Sequence, residues 1–197
     1  LKGRDVMGLA QTGTGKTAAF AMPILNRLIG RRKGGAGALI IAPTRELAEQ
    51  INSAIRILGR QTRLRSTAIY GGVGINPQIN ALKHADIVVG CPGRLLDHIN
   101  RRSIDLTRLE VLVVDEADQM LDMGFLPDIR RILTHVPSKN RQTLLFSATM
   151  PENISCLAND ILQNPKTVQI GTMAAVETVS HALYPVAPHL KTALLMK

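Results

Sequence analysis

One glycine-rich segment carries the residue types that bind a nucleotide phosphate. Residues 10–17 read AQTGTGKT and follow a short apolar run. Gly13 and Gly15 allow backbone conformations that a Cβ would obstruct, so successive N–H groups can face one anion. Lys16 opens a predicted helix whose first turn adds N–H donors; its ammonium can reach the β- and γ-phosphates, and the Thr17 hydroxyl can hold Mg²⁺. The segment predicts a phosphate-binding loop, against the alternative of a simple turn before Lys-Thr.

An acidic segment offers the matching metal and proton-transfer groups. Residues 111–118 read VLVVDEAD, an apolar strand that ends in carboxylates. Asp115 can bind Mg²⁺, directly or through water, and Glu116 can accept a proton from an attacking water. The alternative is a helix start, where the helix dipole favours acidic residues. With a phosphate loop upstream, the catalytic interpretation is favoured.

The elements that must position these groups alternate along the chain. Near-continuous apolar strands separated by helices predict an α/β fold, a parallel sheet with helices on both faces. Ligands in such sheets bind outside the carboxyl ends of the strands, where every polar segment of this chain falls. The predicted strands are residues 6–9, 38–42, 64–70, 85–89, 109–114, 143–146 and 166–170. The predicted helices are residues 16–29, 45–58, 94–100 and 151–162.

Several of these segments also have purely structural interpretations. Thr149 and Glu152 have the spacing of a capping box, which would leave Ser147 without a role. The Pro43-Thr44 pair could simply cap a helix, and residues 91–94 could form a plain loop. Towards the end of the chain we predict a linker, then a strand at 182–186 and a helix at 188–197, the opening of a further domain.

Composition narrows the partners. The net charge of +9 favours an anionic partner, and an aromatic content of 3% without Trp favours contacts to phosphate and sugar over base stacking. Two cysteines, Cys91 and Cys156, form neither a disulfide framework nor a metal spacing, which fits a reducing cytoplasm. We expect Cys156 to be buried and the five histidines to lie at the surface or its boundary. No segment is apolar for long enough to span a membrane.

Six segments in order resemble the DEAD-box ATP-dependent RNA helicases: AQTGTGKT, PTRELA, GG, CPGRLLD, DEAD and SAT. The resemblance implies a RecA-like P-loop NTPase domain over residues 1–171, the first of two such domains, and a linker with the beginning of the second over residues 172–197. It also implies that the adenine-reading Q motif lies upstream of Leu1 and is absent, so that ATP would be poorly distinguished from GTP.

The resemblance assigns roles to residues. The ATP-binding group is Gln11, Thr12, Gly13, Thr14, Gly15, Lys16 and Thr17. The catalytic group is Lys16, Asp115 and Glu116, with Thr17 and Asp115 on the metal. The group that couples nucleotide state to RNA is Asp118, Ser147 and Thr149. The group along the RNA backbone is Pro43, Thr44, Arg45, Gly72, Gly93 and Arg94.

The implied activity is an RNA-stimulated ATPase that unwinds RNA with ATP and Mg²⁺ as cofactors. It would bind the RNA backbone independently of sequence, work with the second RecA-like domain of the same full-length chain, and be cytoplasmic, with no membrane partner. Alone, the chain would be weakly active or inactive, because the arginines that complete the ATP site come from the second domain. Cys91 replaces the usual Thr, which removes one expected hydroxyl contact. The alternatives are a DNA-directed helicase of related fold, another P-loop ATPase, or a non-catalytic nucleotide- and RNA-binding module.

Overall fold

A parallel sheet forms the centre of the computed structural model, which describes residues 3–11, 13–31, 34–137, 141–170, 182 and 184–196. The strands are β1 (Val6–Ala10), β2 (Ala38–Ile41), β3 (Ser66–Ile69), β4 (Ile87–Gly90), β5 (Val111–Val114), β6 (Gln142–Ser147) and β7 (Lys166–Ile170). Among the described residues they make one seven-stranded sheet in the order β3-β4-β2-β5-β6-β1-β7, and every neighbouring pair is parallel. The predicted fold class is confirmed.

Helices connect the strands. They are α1 (Lys16–Leu28), α2 (Arg45–Leu58), α3 (Ile75–Leu82), α4 (Pro92–Asn100), α5 (Ala117–Asp122), α6 (Leu126–Leu133), α7 (Glu152–Ile161) and α8 (Lys191–Leu195). Pro23 lies inside α1, whose helix runs on through it. α3, α5 and α6 were not among the predicted helices, because each has only six to eight residues, too few to show a clear helical period.

Two apolar layers sandwich the sheet. One face packs against α1 and α2, with Phe20, Ile24 and Ile51 fully or almost fully buried. The other face packs against α4 to α7, with Leu95, Ile129 and Leu157 fully buried. Strands β2, β4 and β5 are buried along their whole length, as expected for a parallel sheet covered on both sides.

The strand register aligns the ends of the strands. Ile41 pairs with Gly90 on one side and with Val114 on the other, and Val114 pairs with Leu145 of β6. Leu9 pairs with Ser147. The segments that follow these strands therefore emerge at one edge of the sheet, which we call the carboxyl rim.

The tail differs from the sequence prediction. Residues 182 and 184–187 have no regular structure, so the described part of the predicted strand at 182–186 is not a strand. A short 3₁₀ turn at Pro188–Leu190 leads into α8, in place of the continuous helix predicted for 188–197. Few interactions hold this segment, since most of its described side chains are exposed. The predicted linker at 174–180 lies outside the described residues.

Gly8 in β1 lies so close to β6 that a Cβ there would be 2.4 Å from Cδ1 of Phe146. The Phe146 ring is fixed in turn by Phe20, with ring centroids 5.6 Å apart. We expect Gly8→Ala to lower the free energy of unfolding by about 1–3 kcal/mol, the usual cost of overpacking a core. Denaturant unfolding measures it. Gly71→Ala is the matched control, since a Cβ there meets nothing within 4 Å, and an equal loss in both variants would contradict the packing account.

Candidate functional site

The carboxyl rim divides into two halves. Neighbouring strands β5, β6 and β1 lead into Asp115, Ser147 and the glycine-rich loop. Neighbouring strands β3, β4 and β2 lead into Gly72, Arg94 and Arg45, since each precedes the segment that carries one of them. The strand order thus collects all the residues with predicted ATP roles on one half and all those with predicted RNA roles on the other.

The glycine-rich loop has the backbone that its sequence predicted. Gly13 and Gly15 both have left-handed φ angles, 85° and 84°. Gly15 is the N-cap of α1, so the first-turn N–H groups of the helix open towards the loop. Thr14 and Gln11 are exposed, and the Thr14 hydroxyl donates to the Gln11 carbonyl at 2.8 Å. Thr12 lies outside the described residues.

Lys16 is folded over this loop. Its Nζ donates to the carbonyls of Ala10 at 2.8 Å and Gln11 at 3.1 Å. An ammonium has three donors, so a third hydrogen remains for an anion held by the loop amides. Thr17 follows in the first turn of α1, half-buried. Both residues belong to the first turn of α1, directly after the glycine-rich loop.

Asp115 is a buried carboxylate at the end of β5. It is 2% exposed, and its Oδ1 accepts from the backbone N–H of Glu116 at 3.0 Å. Burial raises the pKa of Asp115 to about 6, an effect that the nearby Lys16 ammonium partly offsets and the Glu116 carboxylate adds to. The electrostatic effect of Lys16 on this pKa means that the glycine-rich loop and the acidic segment are neighbours at the same rim.

Glu116 has a strained backbone. Its φ of 53° and ψ of 52° lie in the left-handed region, which a residue with a Cβ adopts at a cost of about 1–3 kcal/mol. Glu116 is also the N-cap of α5, a position at which its side chain makes no capping bond. The strain turns the chain sharply between the end of β5 and the helix, and it sets the side chain next to Asp115.

Asp118 joins the acidic segment to the loop after β6. Its Oδ2 accepts from the backbone N–H groups of Ala148 and Thr149, at 3.1 and 2.9 Å, and from the Thr149 hydroxyl at 3.0 Å. In return, the Ser147 hydroxyl accepts from the N–H of Asp118 at 3.2 Å. Burial acts to raise the pKa of Asp118, but these hydrogen bonds from Thr149 and Ser147 outweigh it and the pKa is lowered.

These hydrogen bonds to Asp118 are found in place of the predicted capping box. The Thr149 hydroxyl donates to Asp118, and α7 has Pro151 as its N-cap without a side-chain capping bond. The capping-box interpretation is therefore wrong. Thr149 lies two residues before the N-cap of α7, too early in the chain to cap this helix.

The second half of the rim begins with the residues after β2. Pro43 is buried, and Thr44 caps α2 by accepting from the N–H of Leu47 at 3.2 Å. The guanidinium of Arg45 lies over the ring of Tyr70, 4.9 Å from its centroid. Thr44 thus has the structural capping role, and Arg45 is exposed with its orientation set by an aromatic ring.

Arg94 is held by the loop that contains Gly72. Its Nη1 and Nη2 both donate to the Val73 carbonyl at 3.1 Å, and its Nε lies 3.5 Å from Oδ2 of Asp97, an ion-pair contact. Gly72 has a φ of 80°, so the turn depends on a glycine there. Gly93 is exposed in the first turn of α4. The predicted Gly72, Gly93 and Arg94 are thus brought together.

A buried polar network behind Arg94 was not predicted. The Nε2 amide of Gln78 donates to the Tyr70 carbonyl at 3.0 Å, which orients its Oε1 to accept from Arg94 Nη1 at 3.3 Å and from His98 Nε2 at 3.1 Å. Nδ1 of the same ring lies 2.8 Å from the hydroxyl oxygen of Ser103, whose hydrogen is donated to the His98 carbonyl at 3.1 Å. The network fixes Arg94 and both flanking segments.

His98 corrects the expectation that every histidine lies at the surface. It is fully buried, and burial together with the charge of Arg94 lowers its pKa, so it is neutral at pH 7. The signal was present in the sequence, since His98 lies three residues after Leu95 and shares its helix face. Cys156 corrects a second expectation, because it is exposed.

Gln78→Leu should disrupt this network. The variant leaves the buried N–H of His98 without an acceptor, so we expect a loss of about 1–3 kcal/mol in the free energy of unfolding. Adding His98→Leu removes the orphaned donor as well, and the double variant should recover part of that loss. Urea unfolding of the two single variants and the double variant measures the coupling. Additive losses would mean that the two side chains do not interact.

Cys91 occupies the position at which the family that the sequence resembles usually has Thr. It is the N-cap of α4 and makes no side-chain capping bond. Burial, and secondly the charge of Glu46, raise the pKa of its thiol to about 11, so the side chain stays neutral.

With the fold and the rim described, comparison with known families assigns the chain to one of them. The DEAD/DEAH box helicase family model matches residues 1–157. The chain belongs to this family.

Relatives of known name and structure are consistent with this assignment. The chain is 50% identical over 171 residues to the DEAD-box ATP-dependent RNA helicase CshA of Bacillus cereus, and 51% identical to the ATP-dependent RNA helicase CshA of Listeria monocytogenes. Each alignment covers 86% of this chain and 32% of the relative, so the chain spans about a third of their length.

Solved structures give the same result. A DEAD box protein from the hyperthermophile Methanococcus jannaschii has a TM-score of 0.80 at 43% identity, over 84% of this chain and 45% of that one. A hypothetical ATP-dependent RNA helicase from Sulfolobus tokodaii has a TM-score of 0.78 at 43% identity, over 86% of this chain and 49% of that one. Separately, every helix in the described part of the chain is too short or too polar to cross a lipid bilayer.

Proposed function

We propose that this chain is the ATP-binding half of an ATP-dependent RNA helicase, and that ATP and RNA bind the two halves of its carboxyl rim. The observation that supports the proposal is the strand order. The glycine-rich loop lies near Asp115, and the segments with Arg45, Gly72 and Arg94 follow the three strands beyond. The CshA relatives are named ATP-dependent RNA helicases, which supports the same activity.

ATP binding uses the loop and the start of α1. Backbone amides at Gly13, Thr14 and Gly15, with the Lys16 ammonium, hold the phosphates, and Gln11 and Thr12 complete the segment. To reach the phosphates, Lys16 exchanges its bonds to the Ala10 and Gln11 carbonyls for bonds to the nucleotide. The exchange costs little, since both partners are oxygen acceptors.

Thr17 and Asp115 suit Mg²⁺. A hydroxyl and a carboxylate are hard oxygen ligands, and magnesium in nucleotide sites is bound through one or two carboxylates plus phosphate oxygens. Asp115 is buried with a raised pKa, which describes a carboxylate that a nearby cation would stabilise in its ionised form. When bound, the metal neutralises charge that develops on the phosphates.

Glu116 accepts the proton of the attacking water. Asp118 transmits the change in nucleotide state to the loop after β6. The strained turn at Glu116 aims its carboxylate from the same segment that holds Asp115. Asp118 ties that segment to Ser147 and Thr149 of the next loop, so a shift at the nucleotide moves the loop after β6. These bonds are the coupling path between nucleotide state and RNA.

RNA lies along the other half of the rim. Arg45 and Arg94 pair with backbone phosphates, while Pro43, Thr44, Gly72 and Gly93 let the backbone of the protein approach the strand. Such contacts are independent of sequence. Residues 1–171 form the first RecA-like domain, and residues 172–197 lead into a second domain that closes over ATP and RNA and supplies the missing arginines. Without it, the chain hydrolyses ATP slowly or not at all.

The test is the nucleic-acid dependence of hydrolysis. We expect the complete protein to hydrolyse ATP faster on addition of single-stranded RNA, and not with DNA of the same sequence, because the 2′-hydroxyl distinguishes the two. A coupled ATPase assay with both polymers measures it. Equal stimulation by DNA would identify a DNA-directed helicase, and nucleotide binding without any turnover would identify a non-catalytic module. Either result overturns the proposal.

A further inference from the structure

A second, strongly basic region lies away from the carboxyl rim. Three connected grooves line the edge of the sheet beside β3, with volumes of about 460, 430 and 110 Å³. The first and second share Arg56 and Arg60, and the first and third share Arg65 and His84. We call the whole the basic groove; its cationic and titratable side chains are Arg56, Arg60, Arg63, Arg65, Lys83 and His84.

The basic groove is at the opposite end of the sheet from the proposed ATP and RNA sites. Arg65 immediately precedes β3, and Arg56 is in the last turn of α2, whose first residue is Arg45 at the carboxyl rim. Arg56 follows Arg45 by eleven residues, so at 1.5 Å per residue about 17 Å of helix separates Arg45 from the start of the groove. One helix and one edge strand therefore connect the two regions along the same side of the molecule.

The positive charge of the groove is not compensated. Within the described part of the chain, the guanidinium groups of Arg56, Arg60, Arg63 and Arg65 have no ion-pair or hydrogen-bond partner, and all four residues are exposed. By contrast, Arg31 bonds to Glu110 at 2.9 Å. Asp86, the carboxylate that lines the groove, accepts the backbone N–H of Arg65 at 2.9 Å. Unpaired like charges concentrated in one groove create a field that attracts a polyanion.

The lining favours phosphate as the partner group. Arginine presents several donors in a planar fork that matches phosphate oxygens. Ser66 is also among the lining residues; its hydroxyl oxygen is buried and has no hydrogen-bond partner among the described residues. Three grooves joined end to end suit an extended polymer rather than a single anion. The exposed apolar side chain of Ile57 lies at one end only.

We propose that the basic groove binds the phosphodiester backbone of an RNA strand, at a second site that continues past the carboxyl rim along α2. The proposal rests on RNA as a ligand of this protein. The groove contacts phosphates independently of sequence, and it engages only strands long enough to extend beyond Arg45. It therefore raises affinity for long RNA and leaves the binding of short RNA unchanged.

The experiment is RNA binding by the 197-residue chain carrying Arg60→Glu and Arg65→Glu together. The control is Arg101→Glu with Arg102→Glu, two exposed residues outside the groove that give the same change in net charge. Fluorescence anisotropy uses a uridine strand of about six nucleotides and one of about twenty, at several salt concentrations. Melting temperatures verify the fold, and Arg60→Gln with Arg65→Gln provides a milder pair.

For the long strand, we expect the groove variant to bind about tenfold more weakly than the control. The slope of log K against log salt should also fall by about 1.4, because each lost phosphate contact removes about 0.7 from the slope for a single strand. Affinity for the short strand should stay the same in all variants. The milder pair should lose affinity in the same direction.

Other outcomes overturn the proposal. Equal weakening in the groove variant and the control would mean a general effect of net charge. The affinity for the long strand could stay unchanged while only the groove variant loses binding of polyglutamate. That result would identify an acidic protein segment as the occupant. If the short strand fails to bind while the long strand still depends on the groove, the proposed site at the carboxyl rim fails and the groove stands. If neither strand binds, both proposals fail.

Discussion

Glu116→Gln in the complete protein should reduce RNA-stimulated ATP hydrolysis by about 10²- to 10⁴-fold, the range that a general base contributes. Glutamine has the same shape and leaves the strained turn in place, so the loop, Asp115 and the metal ligands stay as they are. The affinity for ATP with Mg²⁺ should therefore change little. A steady-state ATPase assay at saturating RNA and a nucleotide titration measure the two quantities separately.

Glu152→Gln is the matched control for this variant. Glu152 is an exposed glutamate in the first turn of α7. Its replacement by Gln removes the same charge as the Glu116 variant, at a residue outside the proposed ATP site. It should retain full turnover. Unchanged turnover in the Glu116 variant would remove that residue from the mechanism, and a parallel loss of ATP binding would show that its role is structural.

Asp115→Asn should make the chain more stable and at the same time abolish its binding of Mg²⁺ and ATP. Burial raises the pKa of Asp115 to about 6 from an ordinary value of 3.8. At pH 7 Asp115 is therefore ionised in the folded chain although it is buried, and this lowers the free energy of unfolding. Asparagine removes that charge and keeps an oxygen for the N–H of Glu116. Since one pKa unit is about 1.4 kcal/mol, the gain in the free energy of unfolding is about 3 kcal/mol.

The contribution of Asp115 to the free energy of unfolding depends on pH. Between pH 3.8 and 6 the folded chain holds a proton on Asp115 that the unfolded chain has released, so stability from this group falls as the pH rises. The difference in the free energy of unfolding between the variant and the wild type should be largest above pH 6 and vanish near pH 4. Urea unfolding at several pH values measures it without ligand. A variant less stable than the wild type at pH 7 would contradict the burial account.

The parts of the site that come from one continuous segment could be predicted from the sequence. The glycine φ angles, the helix start at Lys16 and the buried strand before Asp115 follow from residue type and spacing alone. The bond between Asp118 and the loop after β6 was implied by the resemblance, and the structure contains it. The roles of these side chains in catalysis and binding stay predictions.

What escaped prediction depends on contacts between distant segments. Gln78 of α3 meets Arg94 and His98 of α4 only in the folded chain, and no local pattern in either helix specifies the partner. The spacing of Thr149 and Glu152 suggested a local cap, but α7 begins later than predicted and the Thr149 hydroxyl bonds to Asp118 of α5. The basic groove brings together cations from the end of α2, the loop before β3 and the loop after α3, which no local pattern connects.

The most direct test of the central claim is a crystal structure of this chain with Mn²⁺ and a non-hydrolysable ATP analogue, read through the anomalous signal of the metal. The account predicts one strong peak between the Thr17 hydroxyl and the Asp115 carboxylate, with the nucleotide phosphates on the amides of Gly13 to Gly15. A peak and nucleotide bound elsewhere on the chain, with the glycine-rich loop unaltered, would contradict it.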